Sequence, residues 1–269
     1  MAASQEHGVL WSVVVGPWAH LFQRVAKKIE SALLSMSLLG RIAWRAPLIL
    51  KNKDLTMQQT IAIGVSSLPL LVITSIFTGA VATFQVAYQF RNFVPDKFIG
   101  TAAAKMILIE LGPVLTGLVL AGRVGSALAA ELGSMKEKEE LDAMVVLDLD
   151  PLRYIALPRF AAFILMMPVL TVISNLLAIF GGWIVAVLSL NMTSYTFLSG
   201  LQLYFKPIDL YSGMFKSFVF GIIICLMGYV HGTTAGSGAR GVGYAVMNSV
   251  VSASVLILIS DFVIAVCFF

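Results

Sequence analysis

Five long apolar segments constrain this chain more than any other feature of its sequence. They cover residues 61–88, 98–120, 155–190, 211–229 and 246–269. About 20 apolar residues in a helix cross the roughly 30 Å hydrocarbon core of a bilayer, and a helix satisfies its own backbone hydrogen bonds there. The segments therefore predict an all-α integral membrane protein with five transmembrane helices.

The composition argues against a soluble fold. Hydrophobic residues make up 59% of the 269 residues and charged residues only 12%, whereas a soluble domain carries about 25% charged residues. The mean hydropathy is +0.92. Because the chain has too few polar side chains to cover its surface in water, we expect most of that surface to face lipid.

The N-terminal segment has a different pattern. Between residues 9 and 53, Trp and Leu are interleaved with Arg and Lys, which favours an amphipathic helix lying in the plane of the membrane interface. A signal peptide is the alternative, but its basic region should come first, and residues 1–15 contain no Lys or Arg. We assign residues 1–57 to a cytoplasmic or interfacial helical segment and residues 58–269 to the transmembrane domain.

The Lys and Arg residues predict the orientation. Thirteen lie in the N-terminal segment and in the second-to-third and fourth-to-fifth connections. Five lie on the opposite side: Arg91, Lys97, Lys105, Lys206 and Lys216. The positive-inside rule then predicts a cytoplasmic N-terminus and an external C-terminus. The pI near 9.1 reflects Lys and Arg residues that lie mostly beside membrane segments, where they would meet anionic lipid headgroups, and we expect no nucleic-acid partner.

One connection is unusually charged. Residues 131–144, between the second and third spans, carry seven charged side chains. A charged helix held between two spans can dock a soluble partner that acts on those spans. The sequence contains no G-x-x-x-x-G-K-[ST] phosphate loop, so we expect a partner to bind and hydrolyse ATP.

Other motifs predict no chemistry. Residues 236–241 fit G-x-G-x-x-G, but they follow a membrane helix rather than a strand, and so they indicate a flexible cytoplasmic turn. His7, His20 and His231 are scattered and match no metal-binding motif. We therefore expect no catalytic residues, no metal site and no cofactor in this chain.

Two acidic residues lie inside predicted spans, where a charge is costly and tends to face a cavity or the bundle interior. Glu110 is thirteen residues before Arg123, which is roughly 20 Å along a helix. It either lines a substrate cavity or hydrogen-bonds a neighbouring helix. Pro113 is expected to bend or break the helix beside it. Asp261, in the last span, is expected to serve helix packing.

Short motifs run along the chain from about residue 77 to the C-terminus. They include Phe77-Thr-Gly79 with Gln85, Glu110-Leu-Gly-Pro-Val114, Ala121-Gly-Arg-Val-Gly-Ser-Ala127, Ala130-Glu-Leu-Gly133, Asp142-Ala-Met144, Asp150-Pro-Leu-Arg153 and Asp261-Phe262. In this order and spacing they resemble the MlaE (YrbE) permeases of ABC-type lipid transporters that work with MCE-domain proteins.

The resemblance implies a homodimeric, five-span permease of the bacterial inner membrane that moves phospholipid between the inner and outer membranes. It implies an ABC ATPase that binds ATP and Mg²⁺, a periplasmic MCE-domain protein and, in some systems, a STAS-domain protein. The C-terminus would then be periplasmic. The alternative within this class is an MCE-type importer of sterols or fatty acids.

The resemblance also assigns roles to residues. The coupling helix of the family matches about residues 134–147. The residues that the resemblance implies for contact with the ATPase are Glu131, Met135, Glu139, Glu140 and Asp142. The phospholipid pocket, which the family forms at the dimer interface, falls on Phe77, Gly79, Gln85 and Glu110.

Two positions depart from the family pattern. Many relatives have Glu-Gln where this chain has Glu139 and Glu140, and some have Arg where it has Ile109. The extra carboxylate predicts a more basic ATPase surface. The Glu-Glu pair also resembles the pattern of the importers of sterols or fatty acids. Glu110 lacks the adjacent counter-charge that Arg would supply.

Two other classes fit less well. An intramembrane lipid-modifying enzyme needs an acid, a base or a nucleophile that converge, and Glu110, Ser260 and Asp261 are too sparse for that. A passive channel or scaffold would need no charged docking helix.

Overall fold

Seven helices form the part of the chain that the structure describes from residue 53 onward. The computed structural model describes residues 38, 40–42, 53–90 and 93–268. The helices are α1 (Lys53–Phe90), α2 (Asp96–Glu137), α3 (Glu140–Val146), α4 (Leu152–Leu188), α5 (Ser194–Leu203), α6 (Pro207–Thr233) and α7 (Gly238–Phe268). Within these ranges there is no β-strand, in agreement with the predicted all-α class.

The chain divides into two compact units, residues 1–44 and 45–269, and α1 to α7 belong to the second. In the first unit, residues 38 and 40–42 are helical. Residues 53–57, the end of the predicted N-terminal segment, belong to α1, and the remaining residues of that segment lie outside the described residues.

Within the described residues, five helices are long and apolar enough to cross a membrane, as predicted: α1, α2, α4, α6 and α7. Their ends differ from the predicted ones because hydropathy marks the apolar part of a helix rather than the whole helix. The second span is predicted to end at Leu120, whereas α2 continues to Glu137. Its 42 residues extend roughly 63 Å, about twice the apolar thickness of a bilayer.

α1 packs along α4 through a close backbone contact at Gly79. A Cβ atom at Gly79 would overlap the carbonyl oxygen of Ala178, so no larger residue fits without separating the helices. Ser75 and Ser174 hydrogen-bond across the same interface with 2.8 Å between their hydroxyl oxygens. This contact fixes α1 against α4.

α6 is the central helix of the bundle and packs against α2, α4 and α7. In its most apolar stretch 67% of the residues are buried, compared with 28% in α1 and 17% in α7. α1 and α7 therefore present broad apolar faces outward.

Two π-helical turns precede prolines. Ile107–Leu111 comes just before Pro113, and Leu152–Ala156 just before Pro158. Gly112 donates its N–H to the carbonyl oxygen of Ile107, five residues back. Because proline lacks an N–H and crowds the preceding turn, the wider turn lets the helix pass it. The bend or break predicted at Pro113 is instead a π turn within a continuous helix.

The charged connection is not one helix over residues 134–147. α2 ends at Glu137 and α3 begins at Glu140. Glu139, between them, has a φ of 59°, a left-handed conformation that residues other than glycine adopt at a cost. α3 contacts the end of α2, and Leu141 is buried.

The turn predicted at residues 236–241 is shorter than expected. α7 begins at Gly238, whose φ of 76° suits glycine. Only the first part of the glycine motif therefore lies in the turn, and the rest opens α7.

Candidate functional site

A cluster of charges around one buried lysine joins three helices. Lys216 of α6 is fully buried, with 0% of its surface exposed. Its ammonium nitrogen lies 2.7 Å from a carboxylate oxygen of Glu110 on α2 and 2.8 Å from one of Asp261 on α7. A buried ammonium needs such partners because its transfer out of water costs several kcal/mol. Glu110 and Asp261 thus share one cation.

A second ion pair joins α2 and α6. The ammonium nitrogen of Lys105 lies 3.2 Å from a carboxylate oxygen of Asp209, which is buried. Lys105 and Glu110 on α2 therefore face charges of opposite sign on α6. Together with Asp261, the five side chains include three carboxylates and two ammonium groups, so negative charge is in formal excess.

Sequence reasoning missed this cluster because it counted Lys105 and Lys216 among the cations that flank the membrane. The structure corrects that count. Lys216 lies nine residues after Pro207, the first residue of α6, or roughly 14 Å along the helix. A lone Lys within the apolar segment 211–229 was the available signal, and it could have been paired with the lone Glu110.

A cavity of about 530 Å³ lies between the later half of α1 and the first half of α2. It is lined by Phe77, Thr78, Val81, Ala82, Gln85, Gln89, Met106 and Leu111. Phe77 and Gln85, two of the four predicted pocket residues, are among them. The structure places Gly79 in the contact between α1 and α4, and it places Glu110 in the charge cluster, next to Leu111. The structure thus brings two of the four predicted residues together.

Three of the predicted coupling residues, Glu139, Glu140 and Asp142, are exposed at the start of α3. Asp142 pairs with Lys136 of α2 at 3.0 Å, an exposed ion pair between the start of α3 and the helix before it. A fourth, Met135, is half-buried on α2. These residues form one surface with the end of α2.

The fifth predicted coupling residue, Glu131, has a different partner. Its carboxylate accepts a hydrogen bond from the guanidinium of Arg159 on α4, with 2.5 Å between the atoms. The pair ties α2 to α4 within the chain.

An apolar tip, formed by Val145, Val146 and Leu147, follows the acidic start of α3. These side chains are 63%, 85% and 70% exposed. Adjacent exposed apolar side chains beside a charged surface are typical of a protein contact. Sequence reasoning followed the charges and missed the tip.

Known proteins are similar in sequence to this chain over most of its length. The family described as Permease MlaE matches residues 56–267. A probable ABC transporter permease protein of Rickettsia prowazekii is 38% identical over 255 residues, which cover 93% of this chain and 97% of the relative. The intermembrane phospholipid transport system permease protein MlaE of Haemophilus influenzae is 33% identical over 224 residues, which cover 83% and 86%.

A plant protein is also similar. The chloroplastic protein TRIGALACTOSYLDIACYLGLYCEROL 1 of Arabidopsis thaliana is 35% identical over 230 residues, which cover 86% of this chain and 63% of the relative.

These findings give the chain its place in a larger assembly. Its five apolar helices make it a multi-pass membrane protein. Like the permease subunits it matches, it is a non-catalytic part of an ABC transporter, and a separate ATPase chain hydrolyses the ATP. The match over residues 56–267 includes the whole bundle from α1 to α7 except the ends of these two helices, and the chain therefore belongs to the Permease MlaE family.

Proposed function

We propose that this chain is the permease of a transporter that moves phospholipid between the inner and outer membranes of a bacterium. The cavity between α1 and α2 is the observation that carries the proposal. Its wall is mostly apolar, with the amides of Gln85 and Gln89 among the exceptions, and this suits a ligand with acyl chains and a polar end. The similarity to the intermembrane phospholipid transport system permease protein of Haemophilus influenzae supports phospholipid as that ligand.

The outer face of α1 supports a homodimer. Phe77, Val81, Phe84 and Tyr88 are between 53% and 78% exposed, and two of them line the cavity. A second copy on this face would bury these side chains and close the cavity from the side. A two-fold dimer places the same surface on both subunits, so two cavities would meet at the interface.

The surface at α3 is the proposed docking site for the ATPase. Its acidic start attracts a basic surface, and the apolar tip supplies area that is buried on contact. α2 is continuous from Glu137 to Glu110, which is roughly 40 Å. A push on α3 by the closing ATPase would therefore reach the charge cluster and narrow the cavity, which would expel its lipid.

The proposed location is the bacterial inner membrane, with a cytoplasmic N-terminus and a periplasmic C-terminus. Without Lys105 and Lys216, the excess of Lys and Arg on the N-terminal side is larger than the sequence alone suggests. The cavity residues lie in the later half of α1, which this orientation turns toward the periplasm. An MCE-domain protein there would exchange the lipid, and a STAS-domain protein would bind the ATPase.

Native mass spectrometry of the complex, purified gently from its own membranes, tests the proposal. We expect two copies of this chain, two ATPase subunits and bound phospholipid. Val81→Glu should reduce the bound phospholipid. Val65→Glu is the matched control, because Val65 is equally exposed on α1 (62% against 60%) and lies outside the cavity lining.

Three results would count against parts of the proposal. A bound sterol or fatty acid in place of phospholipid would favour the importer. Equal loss of lipid in Val81→Glu and Val65→Glu would show that the cavity does not bind the lipid. A single chain without an ATPase, even after crosslinking through α3, would contradict the docking surface and the dimer.

A further inference from the structure

We propose that this chain has a second ligand site, which binds a phosphate group near the start of α1. A cavity of about 380 Å³ lies where the N-terminal parts of α1 and α4 meet the later part of α2. Its polar lining consists of Gln59, Ser66, Arg123, Glu131 and Arg159. It shares no lining residue with the cavity that contains Phe77.

The charges of this second cavity favour an anion. Arg159 is 8% exposed and is neutralised by Glu131. Arg123 donates through one nitrogen to Ser67 and Ser66, at 2.8 and 3.2 Å, and among the described residues no carboxylate lies within 4.0 Å of its guanidinium nitrogens. One positive charge is therefore in excess on the lining.

The donors suit phosphate in particular. Arginine presents several N–H groups in a fixed plane that matches phosphate oxygens. The two hydroxyl contacts occupy one end of the Arg123 guanidinium and set its position. The Gln59 amide adds a neutral donor on the same wall. A singly charged phosphodiester would balance the excess charge.

The position of the cavity indicates the source of the phosphate. Arg123 marks the end of the apolar part of α2, and Glu131 lies eight residues further along the same helix, roughly 12 Å away. In the proposed orientation this is the level of the cytoplasmic lipid headgroups, where anionic lipids concentrate and basic pockets bind them. The source therefore rests on the proposed orientation, whereas the site itself does not depend on which lipid is transported.

Lipid retention by the full chain in nanodiscs tests the site. The nanodiscs contain phosphatidylcholine with a minority of phosphatidylglycerol, and native mass spectrometry after partial delipidation counts the lipids that remain. We expect the chain to retain phosphatidylglycerol preferentially. Arg123→Gln and Gln59→Glu should each weaken this retention about tenfold. Arg240→Gln, which removes an exposed Arg outside the cavity, should leave it unchanged.

A second arm separates a lipid headgroup from free phosphate. In nanodiscs of phosphatidylcholine alone, inorganic phosphate is titrated and its ³¹P line width is measured. Broadening that Gln59→Glu abolishes, without any preference for phosphatidylglycerol in the first arm, would identify free phosphate as the ligand. Equal behaviour of the wild type and Gln59→Glu in both arms would overturn the site.

Two features keep this test decisive. Gln59→Glu leaves both guanidinium groups and their hydrogen bonds in place. This variant therefore tests phosphate binding even if Arg123→Gln lowers the melting temperature. The ATPase is absent from both arms, and Val81 is unchanged. A negative result here therefore leaves the proposed transport function standing.

Discussion

The ammonium nitrogen of Lys216 lies 2.7 Å from a carboxylate oxygen of Glu110, on a different helix and in the interior of a membrane bundle. Asp261 approaches the same nitrogen from a third helix. The cluster therefore sets the relative positions of α2, α6 and α7. Its removal should affect the whole bundle rather than one contact.

Lys216→Met should destabilise the protein strongly, because it leaves two carboxylates without their buried cation. Removing one member of a fully buried pair costs about 3–5 kcal/mol. Because 39% of the Glu110 side chain and 17% of the Asp261 side chain are exposed, we expect the lower end of that range. Thermal unfolding in detergent measures the change, and Lys53→Met, at an exposed Lys on the first turn of α1, should melt like the wild type. Adding Glu110→Gln and Asp261→Asn to Lys216→Met should restore much of the stability. A melting temperature of Lys216→Met equal to that of the wild type would show that the cluster contributes nothing.

Alanine should have opposite effects at two helical glycines. At Gly79 the added Cβ overlaps the backbone of α4, so we expect a loss of about 1–3 kcal/mol. At Gly243 a Cβ meets no atom within 4 Å, and alanine should gain up to about 1 kcal/mol of helix propensity. Unfolding of the two variants side by side checks this, and an equal effect at both sites would contradict the close contact of α1 with α4.

Glu139→Gly should raise the stability of the α2–α3 turn by up to about 1 kcal/mol, because glycine adopts the left-handed conformation without strain. The neighbouring change, Glu140→Gly, falls in the first turn of α3 and should instead destabilise it slightly. Hydrogen exchange of the α3 amides measures this difference: exchange should be slower than in the wild type for Glu139→Gly and faster for Glu140→Gly. Faster exchange in Glu139→Gly than in the wild type would contradict the assigned turn.

Val146→Asp should release the ATPase while leaving the permease folded. The Val146 side chain is 85% exposed, so the change breaks no packing within the chain and places a charge on the apolar tip. We expect at least a tenfold loss of ATPase in co-purification and an unchanged melting temperature. Tyr195→Asp, at an equally exposed aromatic residue on α5, is the control. Full retention of the ATPase by Val146→Asp would exclude the tip from the interface.

Glu139→Lys should uncouple lipid transport from ATP hydrolysis while the permease still folds. The change reverses a charge on the proposed docking surface, and among the described residues Glu139 forms no ion pair that the change would break. Reconstituted lipid transfer and ATP hydrolysis are measured together. Normal lipid transfer by this variant would contradict the coupling role of the acidic surface.

The number and type of membrane helices could be predicted because each apolar segment carries its own signal. The ends of these helices could not be predicted, because α2 continues as a helix through charged residues to Glu137. The break at Glu139 was also missed, because glutamate favours helix and rarely adopts a positive φ. The left-handed residue starts a new helix, α3, which contacts the end of α2 and in which Leu141 is buried.

The site was only partly predictable for a different reason. Glu110 and Asp261 stood out as isolated acids, but their common partner lies on another helix, and no local pattern encodes that pairing. Gly79 shows a second limit. A small residue is needed equally at a pocket and at a close helix contact, so sequence alone did not separate the two roles.

The π turn at Ile107–Leu111 has a consequence for how Glu110 could change its surroundings. Such a turn holds one residue more than an α turn. Moving the extra residue along α2 rotates only the side chains between its old and new positions, by about 100° each. The Glu110 carboxylate could thereby swing away from Lys216 while both ends of α2 remain where they are, a local rotation rather than a movement of the whole helix.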